Sequence, residues 1–132
     1  MRTLLLLALL TLGGCVSTTV IPPVSQSLTG EVHLNADLPR PATVEVTVLS
    51  VMEGRPLQVA STRYELTMLP LVFDMRLTPL QWGEGELYVR TRLRFIGNDA
   101  IQATAQQKVF KVLNSRQLVI SLQPRPCYPL CQ

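Results

Sequence analysis

The sequence predicts an all-β protein, a single antiparallel β-sandwich of about eight short strands. From Thr29 onward, polar and apolar residues alternate in short runs, which is the pattern of strands with one buried face. Turn-forming residues such as 53–56 and 97–99 separate the runs. No stretch has the period of a convincing amphipathic helix, and many short strands at this spacing indicate a sandwich or a small barrel.

The first four strands follow from this alternation and from the prolines that interrupt it. Residues 31–36 and 43–51 alternate, with two prolines between them, and residues 58–66 alternate more weakly. Residues 71–77 follow Pro70 and place apolar side chains at every second position. We therefore expect four strands in the first half of the domain.

The second half is predicted to contain a loop and four more strands. Residues 78–85 hold a proline, a tryptophan and two glycines, which favours a loop. The stretch 102–111 is ambiguous because Ala and Gln favour helix. Neighbouring strands should pair mainly antiparallel, because short turns join them. The predicted strands are residues 86–96, 101–107, 109–113 and 118–122.

The N-terminus resembles the signal of a bacterial lipoprotein. Residues 1–14 carry one early arginine, an apolar core and small residues, and Leu12-Gly13-Gly14-Cys15 closes the leader. We expect cleavage before Cys15 and a covalent lipid on its thiol, with no other cofactor. The apolar run is shorter than the roughly 20 residues that a spanning helix needs. The alternative is an ordinary cleaved leader with an incidental cysteine.

The predicted anchor also sets the compartment and the domain boundaries. In lipoprotein sorting, Asp after the lipidated cysteine usually retains a protein at the inner membrane. Val16 stands there, which favours the outer membrane with the domain facing the periplasm. Residues 15–28 should form the lipidated N-terminus and a flexible tether, residues 29–123 the β-sandwich domain and residues 124–132 a Pro/Cys-rich tail.

Two further cysteines, Cys127 and Cys131, lie in the tail. In an oxidising periplasm so close a pair is expected to form a disulfide that holds the tail locally. A metal site is the less favoured alternative, because two thiols lack a nearby histidine. A redox-active pair usually has two intervening residues, whereas this pair has three. We expect no metal.

Composition and motifs give no case for an enzyme or for nucleic-acid binding. The formal net charge is +3, and the basic residues are scattered. His33 is the single histidine, no GxSxG motif accompanies it, and the glycines are too dispersed to cradle a phosphate. Two acids flank Gly85, a pattern more often found in a solvated turn than in an acid/base pair. We expect neither catalysis nor a small-molecule substrate.

The best surface feature is a basic row on one predicted strand. Tyr88, Arg90, Arg92 and Arg94 are spaced two apart and should share the outer face. Such a row can receive an acidic or carboxylate-bearing partner. The alternative is a solvated face paired with acids on neighbouring strands. Trp82 lies in the loop before this strand, where it caps the core or anchors an interface.

Three stretches resemble the YbaY/YscW lipoprotein family. They are residues 38–46 (LPRPATVEV), residues 70–73 (PLVF) and residues 88–93 (YVRTRL), in the order and spacing of that family. Within it, the chain looks most like the YscW/ExsB-type pilotins of type III secretion. The CYPLC tail departs from the family pattern, and Thr91 stands where a small Ala is usual.

The resemblance implies a β-sandwich, an outer-membrane location and no catalytic residues. It implies that the partner is the secretin, the ring-forming outer-membrane channel, whose localisation and oligomerisation a pilotin aids. Docking by strand addition or by a helix in a groove both remain open. The alternative functions are an envelope structural or maintenance lipoprotein without a secretin partner, and a carrier of small apolar ligands. Cys15 is the position that transfers from the family.

Overall fold

A computed structural model describes residue 14 and residues 26–111 and 117–132. The leader and Cys15 therefore lie outside the described residues. Within them the domain is all-β, which confirms the predicted class, and one short helix interrupts the strands. The elements are β1 (Gln26–Leu34), β2 (Ala42–Met52), β3 (Arg55–Leu66), β4 (Leu71–Leu77), α1 (Pro79–Trp82), β5 (Glu86–Phe95), β6 (Ile101–Val109) and β7 (Leu118–Pro124).

The strands form one seven-stranded sheet in the order β3-β2-β5-β6-β7-β1-β4. Pairing is antiparallel as expected, except that β1 lies parallel to β7. The strands β6 and β7 pair through only two residue positions, Ala103 with Pro124 and Thr104 with Gln123. The sheet curls at this narrow join, so that its two parts face each other across a common core.

Several elements differ from the sequence predictions, and β3 also begins earlier than predicted, at Arg55. The strand β1 begins at Gln26, inside the predicted tether, because Leu28 is buried and pairs with Met75 of β4. The predicted strand 109–113 is not seen as a separate element among the described residues. Val109 ends β6, and residues 112–116 lie outside the description. The ambiguous stretch 102–111 is mostly strand, because pairing with β5 outweighs helix propensity.

The interior is filled by side chains from both parts of the sheet. The largest fully buried ones include Phe73, Phe95, Leu77, Leu93 and Ile120. They come from three different strands, and such close packing supplies most of the stability of a small domain. No helix among the described residues has the length and apolar character needed to cross a membrane.

The helix α1 occupies part of the predicted loop and connects the two edges of the sheet. Thr78 caps it, since Thr78 Oγ1 accepts from Gln81 N at 3.2 Å while Gln81 Oε1 accepts from Thr78 N at 2.8 Å. Gln81 Nε2 donates to the carbonyl oxygen of Val59 on β3 at 3.0 Å. The β2–β3 register shifts at this point, so Val59 lies in a bulge. This bond fastens the segment after β4 to β3.

The domain has two distinct ends. The helix end carries α1, the β2–β3 turn, the start of β1 and the end of β6. The tail end carries residues 96–100 and the C-terminal residues 125–132, which bond back to β6. The chain from the predicted anchor therefore enters at the helix end, where Gln26 pairs with Leu77.

Candidate partner-binding surface

The predicted basic row is present on the outer face of the sheet. The inward residues Leu87 and Val89 are buried, and Tyr88, Arg90, Arg92 and Arg94 are half-buried on the other side. Their partial burial follows from the position of β5, which lies between β2 and β6. We call the outer face of β3, β2, β5 and β6 the basic wall.

Arg94 is the most constrained cation of the row. Its Nε donates to the carbonyl oxygen of Asp99 at 3.2 Å, and its guanidinium lies 4.0 Å from Glu45 Oε1. The other Glu45 oxygen accepts from Arg63 Nε at 3.0 Å. Beside Arg94, a cleft of about 430 Å³ opens between Arg63, Glu65 and Asp99. This side of the wall is a network of opposite charges.

Arg90 and Arg92 have no acidic side chain within 4.0 Å among the described residues. Arg92 is opposite Glu45 in register, but that carboxylate is engaged by Arg63. Arg90 lies between Thr47 and Gln106, and its buried Nε has no hydrogen-bond partner in the described part of the chain. The row is thus only partly neutralised by neighbouring strands.

Tyr88 belongs to a separate polar cluster at the helix end of the wall. Tyr88 Oη donates to Glu86 Oε2 at 3.2 Å, and Lys108 Nζ donates to Glu86 Oε1 at 3.1 Å. The hydrogen bond from Lys108, helped by that from Tyr88, lowers the pKa of the Glu86 carboxyl. Tyr88 is therefore held in place by an ionised carboxylate.

Trp82 does not join the arginine row. It lies on α1 and packs against the core, as the capping interpretation expected. Lys111 Nζ is 5.7 Å from the centre of its ring and donates to the carbonyl oxygen of Gly83 at 2.8 Å. Trp82 thus packs against the core and lies at the end of the domain that carries α1.

His33 lies on the outer face of β1. Its Nε2 is 3.0 Å from Glu31 Oε2, and the two side chains are 41% and 36% exposed. This contact is that of a solvated strand pair. Among the described residues, no group of three His, Cys, Asp or Glu side chains could hold a metal ion.

The tail folds back on the domain through the expected disulfide and through Gln102 and Tyr128, two residues that the sequence analysis did not single out. Cys127 and Cys131 form a disulfide, and Cys131 is buried. The fully buried side chain of Gln102 bonds to the backbone of Cys131, and the hydroxyl of Tyr128 donates to the carbonyl oxygen of Asp37. A glutamine in an alternating strand gives no local signal that its partner lies 29 residues further along the chain.

The apolar core and the partly neutralised outer wall belong to a small all-β domain. Residues 23–122 match the family described as type III secretion system lipoprotein chaperone (YscW), and the chain belongs to this family. Membership associates the chain with the bacterial envelope and with a chaperone role.

Two curated relatives are similar over nearly the whole chain. A type 3 secretion system pilotin of Yersinia enterocolitica is 39% identical over 120 residues, which cover 90% of this chain and 86% of that protein. A type 3 secretion system pilotin of Pseudomonas aeruginosa is 40% identical over 135 residues, with 97% and 90% covered. The family resemblance seen in the sequence is therefore confirmed.

A solved structure supports the fold independently. The alternative pilotin from the type II secretion system of Vibrio cholerae superposes with a TM-score of 0.61 at 17% identity. The match covers 75% of this chain and 96% of that one. At this identity the likeness concerns the fold alone.

Proposed function

We propose that this chain is a pilotin of a type III secretion system. It binds a secretin subunit and aids the localisation and oligomerisation of that subunit at the outer membrane. The observation that carries the proposal is the family match over residues 23–122, together with two relatives named as pilotins at about 40% identity. The role is binding and delivery, without catalysis, cofactor or small-molecule substrate.

The anchor of the proposed pilotin is the lipid on Cys15. The sequence Leu12-Gly13-Gly14 precedes it, and Val16 follows where an inner-membrane lipoprotein usually has Asp. A lipoprotein cysteine carries several acyl chains, which hold a protein firmly in a bilayer. The domain then faces the periplasm and meets the secretin there.

The basic wall is the surface that we assign to the secretin. Arg90 and Arg92 supply guanidinium groups without acidic partners in the described part of the chain, and these groups bind carboxylates well. An acidic segment of the secretin complements them. Tyr88 adds an aromatic contact beside them, Arg94 lines the adjacent cleft, and Trp82 lies further toward the helix end.

Strand addition is the less favoured docking mode at the two outer edges of the sheet. The edge strand β3 contains Pro56 and the bulge at Val59, and Gln81 already occupies the Val59 carbonyl. The other edge strand, β4, has only seven residues, and Asp74 and Arg76 alternate along it. Both edges carry features that limit pairing with another strand.

The first test compares a deletion strain with strains carrying the wild-type chain or Cys15→Ser. The readout is the amount and the membrane fraction of secretin multimers. We expect loss of outer-membrane multimers on deletion and mislocalised secretin with Cys15→Ser, because the domain then binds without an anchor. Unchanged multimers in both strains would contradict the pilotin function and favour an envelope lipoprotein without a secretin partner.

The second test examines the wall directly. Arg90→Glu combined with Arg92→Glu should abolish co-purification of the secretin, since two attractive charges become repulsive. Arg76→Glu, on the edge strand β4 away from the wall, is a charge-reversal control at one position and should leave co-purification intact. Equal binding by the wild type and both variants would remove the wall from the proposal.

The carrier alternative finds little support in the interior. Side chains from both parts of the sheet, including Phe73 and Phe95, fill the space between them. A carrier of apolar ligands needs a cavity of several hundred Å³ lined by such residues. In the described part of the chain, this core gives the carrier alternative no observation in its favour.

A further inference from the structure

The helix end carries four large apolar side chains that are more than half exposed. Leu80 is 92% exposed, Phe110 73%, Leu57 67% and Met52 60%. Together with the half-buried Trp82 they lie on or beside four different elements at one end of the domain. We call these five residues the apolar rim.

Along the first half of the rim, the polar side chains of Glu86 and Lys108 connect the apolar residues. The side chain of Met52 lies over Gly85, where an added Cβ would come within 2.8 Å of Met52 Cγ. The next residue, Glu86, binds Lys108 Nζ at 3.1 Å. Lys108 Nζ in turn lies 5.7 Å from the centre of the Phe110 ring. These contacts lead from β2 across β5 to β6.

The second half of the rim returns through α1. Lys111 follows Phe110 and lies over the ring of Trp82. The bond from Gln81 to Val59 then joins α1 to β3 two residues from Leu57. The rim residues therefore lie along β2, β6, α1 and β3 at the helix end of the domain.

The chain from the proposed anchor reaches the domain at this same end. The strand β1 begins at Gln26, which pairs with Leu77, the residue before the Thr78 cap of α1. Eleven peptide steps separate Cys15 from Gln26. At full extension they span at most about 40 Å. The tether thus lets the helix end reach the bilayer surface and keeps the start of β1 within about 40 Å of the anchor.

We propose that the apolar rim docks on the phospholipid surface of the membrane that holds the anchor. This inference depends on the lipid at Cys15, which belongs to the proposed function. Trp, Phe, Leu and Met side chains partition into the interface between headgroups and acyl chains. Lys108 and Lys111 lie over the aromatic rings of the rim, and long cationic side chains beside apolar ones are favoured at membrane interfaces.

The charges of the helix end indicate that apolar contact dominates this docking. Among the described residues, this end is close to charge balance, with four cations, Arg55, Arg76, Lys108 and Lys111, and three carboxylates, Glu53, Glu84 and Glu86. We therefore expect docking to change little with salt or with the fraction of anionic lipid. Four exposed side chains bind a bilayer weakly alone. Because the tether links the domain to the anchored lipid, contact between these side chains and the bilayer is effectively intramolecular. The tether thereby raises the effective concentration of membrane surface around the side chains.

Trp82 is the single tryptophan of the chain and lies on the rim, so its fluorescence reports the contact directly. The acylated chain, with acylation verified by mass spectrometry, is reconstituted into vesicles of phosphatidylethanolamine and phosphatidylglycerol. A second set of vesicles contains doxyl-labelled lipid as the quencher. We expect a blue-shifted Trp82 emission and a loss of emission in the doxyl vesicles, at low and at high salt.

Two matched variants locate the contact. Leu80→Ser combined with Phe110→Ser should remove most of the quenching, and both positions are too exposed for the change to disturb the core. Val72→Ser combined with Val119→Ser changes two other apolar side chains, 63% and 61% exposed, on the outer face of β4 and β7. This control should keep the quenching of the wild type.

A relocated probe tests the orientation. In a Trp82→Phe background, Leu130→Trp places the fluorophore on the tail end, where residue 130 is 81% exposed. We expect no quenching there. Absence of Trp82 quenching in verified acylated protein, or equal quenching at both ends, would overturn the docking. So would a rim variant that keeps its quenching but loses secretin co-purification, since the rim would then belong to the secretin. Secretin multimers, measured separately, report on the pilotin function itself.

Discussion

The side-chain amide of Gln102 binds the backbone of Cys131 in the way that a neighbouring strand would. Gln102 Nε2 donates to the Cys131 carbonyl oxygen at 3.0 Å, and Gln102 Oε1 accepts from the Cys131 amide at 3.3 Å. The β5–β6 register shifts at Gln102, which turns this polar side chain inward, where it is fully buried. Asn98 Nδ2 donates to the same carbonyl oxygen at 3.0 Å. The tail end is thus closed by a buried polar network.

Gln102→Leu should destabilise the domain and release the tail. The substitution removes both bonds and leaves the Cys131 amide buried without its partner, at a cost of about 1–3 kcal/mol. Urea denaturation measures the loss, and amide exchange at Cys131 measures the release. Gln106→Leu is the matched control, because Gln106 is exposed on the same strand and should change stability by less than about 0.5 kcal/mol. Similar losses in both variants would contradict the role given to Gln102.

The disulfide should contribute modestly and locally. The loop between Cys127 and Cys131 is short, so cross-linking removes about 2 kcal/mol of chain entropy from the unfolded state. We expect the reductant TCEP to lower the urea midpoint of the wild type. Cys127→Ser should show the lower midpoint already and no further response to reductant. A wild-type midpoint that ignores TCEP would show that the tail network holds without the bridge.

Thr91→Val should stabilise the domain. Thr91 is fully buried, and its hydroxyl has no hydrogen-bond partner among the described residues. Valine keeps the shape and removes a desolvated hydroxyl, which should raise the free energy of unfolding by about 1 kcal/mol. Thr47→Val is the control, since the Thr47 hydroxyl lies 3.4 Å from Ser61 Oγ and should gain less. A destabilised Thr91→Val would indicate a partner for this hydroxyl.

The local pattern of the sequence predicted the strands and their faces well. Alternation along residues 86–96 placed Tyr88, Arg90, Arg92 and Arg94 outward because side-chain direction in a strand is a property of neighbouring residues. The arginine row at the centre of the basic wall therefore followed from the order of residues alone. How far Glu45 neutralises it depended on the register with β2, which is a long-range property.

Features that join distant segments could not be predicted. The parallel pairing of β1 with β7 brings together residues nearly 90 positions apart, such as Gly30 and Leu118. The apolar rim combines four elements, so it has no period in the sequence. The helix α1 is different, because the Thr78 and Gln81 capping box with Pro79 at its start is a local signal that the loop prediction overlooked.

The stability of the tail end should fall at high pH. Burial, and secondarily the negative charge of Asp37, raises the pKa of the Tyr128 phenol above its ordinary value of 10.0. Because the pKa of the phenol is higher in the folded state, the protonated phenol stabilises the fold fully when the pH lies below the pKa of the unfolded state. This contribution to the free energy of unfolding is lost as the pH rises through the pKa of the folded state. NMR titration of the Tyr128 ring carbon should give a higher midpoint in the native protein than in urea. Tyr128→Phe should reduce the fall in unfolding free energy above about pH 10. Equal midpoints in both states would contradict the burial of this phenol.

Gly30→Ala should destabilise the contact between β1 and the core by overpacking. An added Cβ would lie 2.6 Å from Phe73 Cζ and 2.8 Å from the carbonyl oxygen of Leu118, closer than real Cβ contacts. We expect a loss of about 1–3 kcal/mol in urea denaturation. Combining it with Phe73→Leu removes the ring but not the backbone oxygen of the paired strand β7. The double-mutant cycle should therefore recover only part of the Gly30→Ala penalty. Complete recovery would show that Leu118 moves away and that the ring alone requires glycine at this position.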